Sequence, residues 1–304
     1  MSLARLSRRS AIIGAGCLLG CTGAAHGQLA PHQASSPRCP DAAPAVTLSA
    51  EERERHAIFM LLAMALTHDG WGVDRSRPDL VAAYAAVEPK RSFSDYLGHN
   101  IGAVLVGRDS QIVCFALNRS VELNSTLERA EARCIRAAFA IANAGLVPGA
   151  LPPWTFGRLL QPDRLYTTLE PCAQCAGIMD LANVQAVVFA QDDPGQHHIV
   201  DILYNLPRER GEPAAPLPLA ADFLPVWKDL AASYNRFLAT ALPDGRTGVT
   251  SFLQSVDAYL IYRDAAARFA DMRVQHRANE DPLRDARAFR AEWGAKVQSG
   301  LVPS

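Results

Sequence analysis

Apolar positions recur in this chain with two periods, and the alternation between them lays out the architecture. Ser49-Ala50-Glu51-Glu52 is a capping-box pattern, and Ile58, Leu61, Leu62, Ala65 and Leu66 follow at helical spacing. The spacing predicts a helix to about Thr67, closed before Asp69-Gly70. Two short apolar runs, 101–106 and 112–117, flank the turn signal Gly107-Arg108-Asp109-Ser110 and predict a hairpin. Ser125-Thr126-Leu127-Glu128 is a second capping-box pattern, predicting a helix through about Asn143 that Gly145 and Pro148 stop. After a Pro-rich loop, 151–163, come a strand at 165–169, Pro171 at a helix start, a helix to about Ala182 and a strand at 184–190. The order β-β-α-β-α-β predicts an α/β domain, a mixed sheet covered by helices. Beyond Gly211 the pattern changes. Residues 212–218 are rich in Pro and Ala, and 223–242 and 251–290 read as helices of mixed charge, a helical C-terminal extension.

Composition narrows the class. The 304 residues are 49% hydrophobic and 20% charged, with mean hydropathy near zero, which excludes a disordered chain and a multi-span membrane protein. The 30 Lys and Arg face 31 Asp and Glu; Arg5, Arg8 and Arg9 lie in the first 20 residues, so the remainder carries about −4. That balance argues against a nucleic-acid polymer as partner. The C-terminal arginines (263, 268, 273, 277, 284, 287 and 290) are interleaved with acids and read as a solvated face. Seven cysteines are too few for a disulfide scaffold.

The N-terminus has the layout of an export signal. Three arginines precede an uncharged stretch from Ala11 to Ala25, shorter than a bilayer span. Ser7-Arg8-Arg9 resembles a twin-arginine (Tat) motif. Leu18-Leu19-Gly20-Cys21 resembles a lipobox, with Cys21 the lipid anchor; Ala25-His26-Gly27 offers a rival cleavage site. The expected organisation is a signal over 1–27, a Ser/Pro/Ala-rich tether over 28–47, an α/β domain over 48–210 and the helical extension over 211–304. The expected location is a bacterial periplasm, either soluble or as a membrane-anchored lipoprotein.

Two motifs at predicted helix starts carry chemistry: Arg129-Ala130-Glu131 and Pro171-Cys172-Ala173-Gln174-Cys175. Unpaired amides and the helix dipole there favour thiolates, the form that binds zinc. A glutamate at the neighbouring helix start is suited to proton transfer. This arrangement resembles the zinc-dependent cytidine-deaminase-like superfamily, whose signature is H-x-E … P-C-x-x-C. The resemblance covers roughly 98–193. Its wording is closest to the nucleobase and tRNA-adenosine deaminase branch: Asn100-Ile-Gly-Ala-Val-Leu-Val106, Asn118, Thr126-Leu-Glu-Arg-Ala-Glu131 and Thr167-Thr-Leu-Glu-Pro-Cys-Ala-Gln-Cys-Ala-Gly177. It implies a cytidine-deaminase-like layered fold, zinc on Cys172 and Cys175, proton shuttling by Glu131 and substrate binding by Asn118.

One position departs from that pattern. The third zinc ligand should be His or Cys, and Arg129 stands there. A guanidinium has no lone pair to give. Cys134, five residues on and about 500° around a helix, faces elsewhere. His197 and His198 follow the last strand and could fold over the site. His56 and His68 read as ordinary helix positions, and His99 as the entry to the first strand. Two functions are expected from these residues. One is a zinc-dependent hydrolytic deaminase of a nucleobase, nucleoside or related amino-heterocycle. The other is a catalytically degenerate deaminase fold used as a binding or structural module. A small heterocycle is the expected ligand, and the extension could cover the sheet, form a lid or join a second copy as a homo-oligomer.

Overall fold

A computed structural model describes residues 46–144, 163–196, 198–206, 216–240 and 248–298. The export signal, Cys21 and nearly all of the tether lie outside them. In chain order the elements are α1 (Ala50–Asp69), β1 (Gly72–Val73), α2 (Pro78–Val87), β2 (Ser94–Asp95), β3 (Gly102–Val106), β4 (Ile112–Leu117), α3 (Ala130–Asn143), β5 (Arg164–Thr167), α4 (Ala173–Leu181), β6 (Ala186–Phe189), α5 (Ile199–Asn205), β7 (Leu217–Ala220), α6 (Pro225–Ala239), α7 (Val249–Phe252), α8 (Val256–Asp271) and α9 (Glu280–Gln298). The α/β class, the mixed sheet between helices and the helical C-terminal extension are as the patterning implied.

The main sheet has the order β4-β3-β5-β6-β7. β3 is antiparallel to both β4 and β5, while β5, β6 and β7 run parallel. β5–α4–β6 is therefore a crossover unit, which needs a helix to carry the chain back. Side chains alternate between the two faces. Tyr166 meets His56 and Phe59 of α1, whereas its neighbour Thr167 meets Glu131 of α3. Cys114 of β4 meets Cys134 of α3, whereas Phe115 packs edge-on against Trp293 of α9. So α1 covers one face, and α3 with α4 the other. Gly102 is required by close approach: a Cβ there would stand 2.2 Å from Thr67 Oγ1 of α1.

The capping box at Ser49 is formed as expected, with Glu52 N donating to Ser49 Oγ and Ser49 N to Glu52 Oε2. Every residue from Ala57 to Thr67 is buried, so α1 is covered on its outer side as well. α8 and α9 pack there. The second capping box does not form. Ser125 Oγ accepts from Leu127 N, and Glu128 pairs with Arg133 and Arg136. The loop is closed by Arg119 N donating to Glu128 O, which leaves Arg129 as the N-cap of α3. Two further expectations shift. β7 lies beyond Gly211 yet is the edge strand of the sheet. The helix expected over 251–290 is divided, because Ser255 caps α8 and the chain leaves the helix after Asp271.

Candidate active site

The topology brings the predicted residues to one end of the sheet. β4 ends at Leu117, next to Asn118. β3, antiparallel to it, begins there with Gly102, and β5 ends there with Thr167. The N-termini of α3 and α4 open at the same edge, so their unpaired amides and positive dipole ends converge. Loop residues beyond the carboxyl ends of parallel strands are the usual site position in open α/β sheets.

Glu131 is buried. Thr167 Oγ1 donates to its Oε1 at 3.0 Å, and Cys175 Sγ lies 3.4 Å from its Oε2. Burial raises its pKa, and the neighbouring charge of Cys172 adds to the rise. Cys172 is the N-cap of α4, and its sulfur is 3.4 Å from that of Cys175; both are free thiols. The Cys172 thiol is pulled down to about 6 by the Cys175 S–H, by backbone amides at the helix start and by Arg129, against the effect of burial. Cys175 is pushed up, because it holds the proton shared with Cys172 and is itself buried. Of the two, Cys172 is thus the more acidic sulfur.

Asn118 is also buried. Its Oδ1 accepts from Ser120 N at 3.0 Å, and its Nδ2 has no hydrogen-bond partner. It therefore makes the turn and keeps a buried donor for something else. Gly98 packs directly onto it, since a Cβ there would come within 2.4 Å of Asn118 Oδ1.

The position that should supply a third ligand is occupied as the sequence dictates. Arg129 leaves Nε buried without a hydrogen-bond partner. Its charge reaches both Cys172 and His99. His99 precedes β3, as its place in the sequence implies. It also shares the surroundings of Arg129, with Nδ1 2.6 Å from Tyr96 Oη and a pKa lowered by burial and by Arg129. A polar His-Asn pair just before an apolar strand was the available signal. His198 sits 3.6 Å from Glu170 and 4.0 Å from Asp201, and His197 lies outside the described residues. Among the described residues, neither His99 nor His198 converges with the two cysteines into a three-ligand cluster. The donor set fits two corners of a tetrahedral zinc and lacks the third protein ligand that catalytic zinc ordinarily has.

Comparison with known proteins bears on the same stretch of chain. Residues 77–191 match the family model of the cytidine and deoxycytidylate deaminase zinc-binding region, a span holding Asn118, Glu131, Cys172 and Cys175. A tRNA-specific adenosine deaminase from Agrobacterium fabrum is 34% identical over 94 residues, 31% of this chain and 53% of that protein. The chain thus spans about half the length of that curated relative. A solved wobble-position tRNA deaminase is 26% identical, covering 47% of this chain and 88% of its own, with a TM-score of 0.29. A guanine deaminase from Nitrosomonas europaea is 16% identical, covering 74% and 88%, with a TM-score of 0.30. The family and curated matches support the resemblance at the level of the superfamily.

Proposed function

We propose that this site removes an amino group hydrolytically from a small nitrogen heterocycle, a nucleobase, nucleoside or relative. The observation that carries the reading is the buried Glu131 carboxyl, fixed by Thr167 and set 3.4 Å from Cys175. Cys172 and Cys175 are the residues that would hold zinc. When bound, zinc supplies Lewis acidity and eases the ionisation of water. Thr167 pins one oxygen of Glu131, and the other faces the cysteines. From there Glu131 takes one proton from the attacking water and delivers it to the ring nitrogen; it then takes the second proton, from the hydroxyl now on the ring carbon, and delivers it to the departing amine. Water and the ring amine become a ring carbonyl and ammonia. Asn118 Nδ2 donates to an acceptor on the ring, which gives that buried group its missing partner. The charge of about −4 outside the N-terminus favours a small substrate over a polymer.

Arg129 supports a second reading, a deaminase fold kept for binding, because it denies the metal a third protein ligand. One experiment separates the two. Ammonia release from a panel of heterocycles should fall about 100- to 10,000-fold in Glu131→Ala if Glu131 is the acid/base. Arg129→His should raise zinc per chain and turnover together. Equal turnover in Glu131→Ala and wild type would place the chemistry elsewhere. No zinc and no turnover in either wild type or Arg129→His would favour the binding module.

Export completes the proposal. Lys in place of Arg8 and Arg9 should hold the chain in the cytoplasm, and Cys21→Ser should release it from the membrane if Cys21 is lipidated. Unchanged export of the Lys variant would remove the twin-arginine assignment.

A further inference from the structure

We propose that Glu170, Asp192 and His198 form a binding site for a divalent transition cation, distinct from the cysteine pair and independent of the deaminase reading. Ligand atoms of these three side chains lie within 4.8 Å of one another, and they are the one such group among the described residues. They come from two loops at the same end of the sheet. Glu170 follows β5, while Asp192 and His198 lie between β6 and α5.

Glu170 points to a ligand. Its side chain is 0% exposed. Oε2 accepts from Asp193 N at 2.9 Å, whereas Oε1 is buried and has no hydrogen-bond partner. A buried carboxyl oxygen left without a partner is costly, and a metal ion is one group that would give it one. Oε1 is aimed at His198 Nδ1, 3.6 Å away, too far for a good hydrogen bond. That spacing suits two donors on one ion. With metal–ligand bonds of about 2.0–2.2 Å, neighbouring ligand atoms stand roughly 3 to 3.6 Å apart. Asp201 adds negative charge 4.0 Å from His198 Nδ1. The loop is braced by Gly195 N donating to Asp193 Oδ1 at 2.9 Å. One imidazole with carboxylates suits zinc, manganese or cobalt; calcium and magnesium favour oxygen alone.

The test uses the full chain, stripped with chelator and titrated with cobalt(II) alone under reducing conditions. The double variant Cys172→Ser/Cys175→Ser should still bind one cobalt per chain, without the thiolate charge-transfer absorption that cysteine ligation gives. Adding His198→Ala, or Asp192→Asn, should weaken that binding more than tenfold. Both residues sit at the surface side of the cluster, so these variants test the site even if Glu170→Gln fails to fold. Loss of all cobalt from the cysteine variant would overturn the proposal. So would cobalt binding in that variant that His198→Ala and Asp192→Asn leave unchanged. Failure of the deaminase reading would appear instead as absent turnover, with the cobalt result intact.

Discussion

His56 is held neutral mainly by burial. It lies on α1 against the sheet, 7% exposed, with Nδ1 2.9 Å from Tyr166 Oη. Burial, helped by the charges of Arg164 and Arg55, lowers its pKa from 6.5 to about 4. The unfolded chain therefore binds a proton between pH 6.5 and 4 that the folded chain refuses. Stability is fully present above 6.5 and is lost as pH falls through 4, by at most about 3 kcal/mol. His56→Gln cannot ionise and keeps a polar atom for Tyr166. Denaturant titrations across that window should show a flatter stability profile for the variant. An unchanged profile would assign the acid sensitivity to another group. Asn118 makes a matching case at the site. Asn118→Asp keeps the oxygen that accepts from Ser120 N and removes the buried donor Nδ2. If the site deaminates a heterocycle as proposed, the expected outcome is a higher KM with the fold retained, read by kinetics beside a melting curve.

At the scale of elements, the C-terminal helices are joined to α1 by polar clasps laid over apolar contact. Arg290 of α9 grips Asp69 at the end of α1 with two bonds of 2.8 and 2.9 Å. Asn279, itself fully buried, donates to Glu51 O and Glu54 Oε2 and accepts from Arg55. Burial alone would raise the Asp69 pKa, but hydrogen bonds from His68 and Arg290 and the Arg290 charge carry it down to about 2. The sign follows from a depressed carboxylate: the contribution is present above pH 4 and lost as pH falls towards 2. Arg290→Ala should lower stability at neutral pH by about 2 kcal/mol and make the acid limb between pH 4 and 2 shallower. An acid limb as steep as in the wild type would show that Asp69 is held by other partners.

At the scale of the whole molecule, the extension completes the core of the α/β domain. α1 is buried from Ala57 to Thr67, and one side of a helix cannot hide all of those residues against a sheet. α8 and α9 close the other side. A chain ending at residue 248 would expose part of a row that includes Ile58, Leu61, Leu62 and Met64, at about 1.5–3 kcal/mol for each large side chain uncovered. Such a chain should lose its cooperative unfolding transition and bind hydrophobic dye. A sharp transition in the truncated form would show that 46–240 folds alone. Among the described residues, no helix is long and apolar enough to cross a membrane.

Local physics wrote much of this protein into its sequence. The hairpin of β3 and β4, the cap of α1 and the pairing of Cys172 with Cys175 depend on neighbours a few residues apart, and such neighbours can be read in line. The cap expected at Ser125 moves to Arg129, because the Arg119–Glu128 backbone bond, a closure outside the helix itself, sets where α3 begins. β7 was hidden because a short edge strand carrying Pro218 has little pattern of its own and takes its identity from β6. The candidate site residues were legible as types at set spacings. That Thr167 fixes Glu131, that His99 stands in reach of Arg129 and that Glu170 looks towards His198 were not, because each joins residues from separate elements, and no periodicity records which atoms meet when those elements pack. Sequence determined which groups could do chemistry; the tertiary structure decided which of them share a site, since distance through space is set by the sheet order and not by position along the chain.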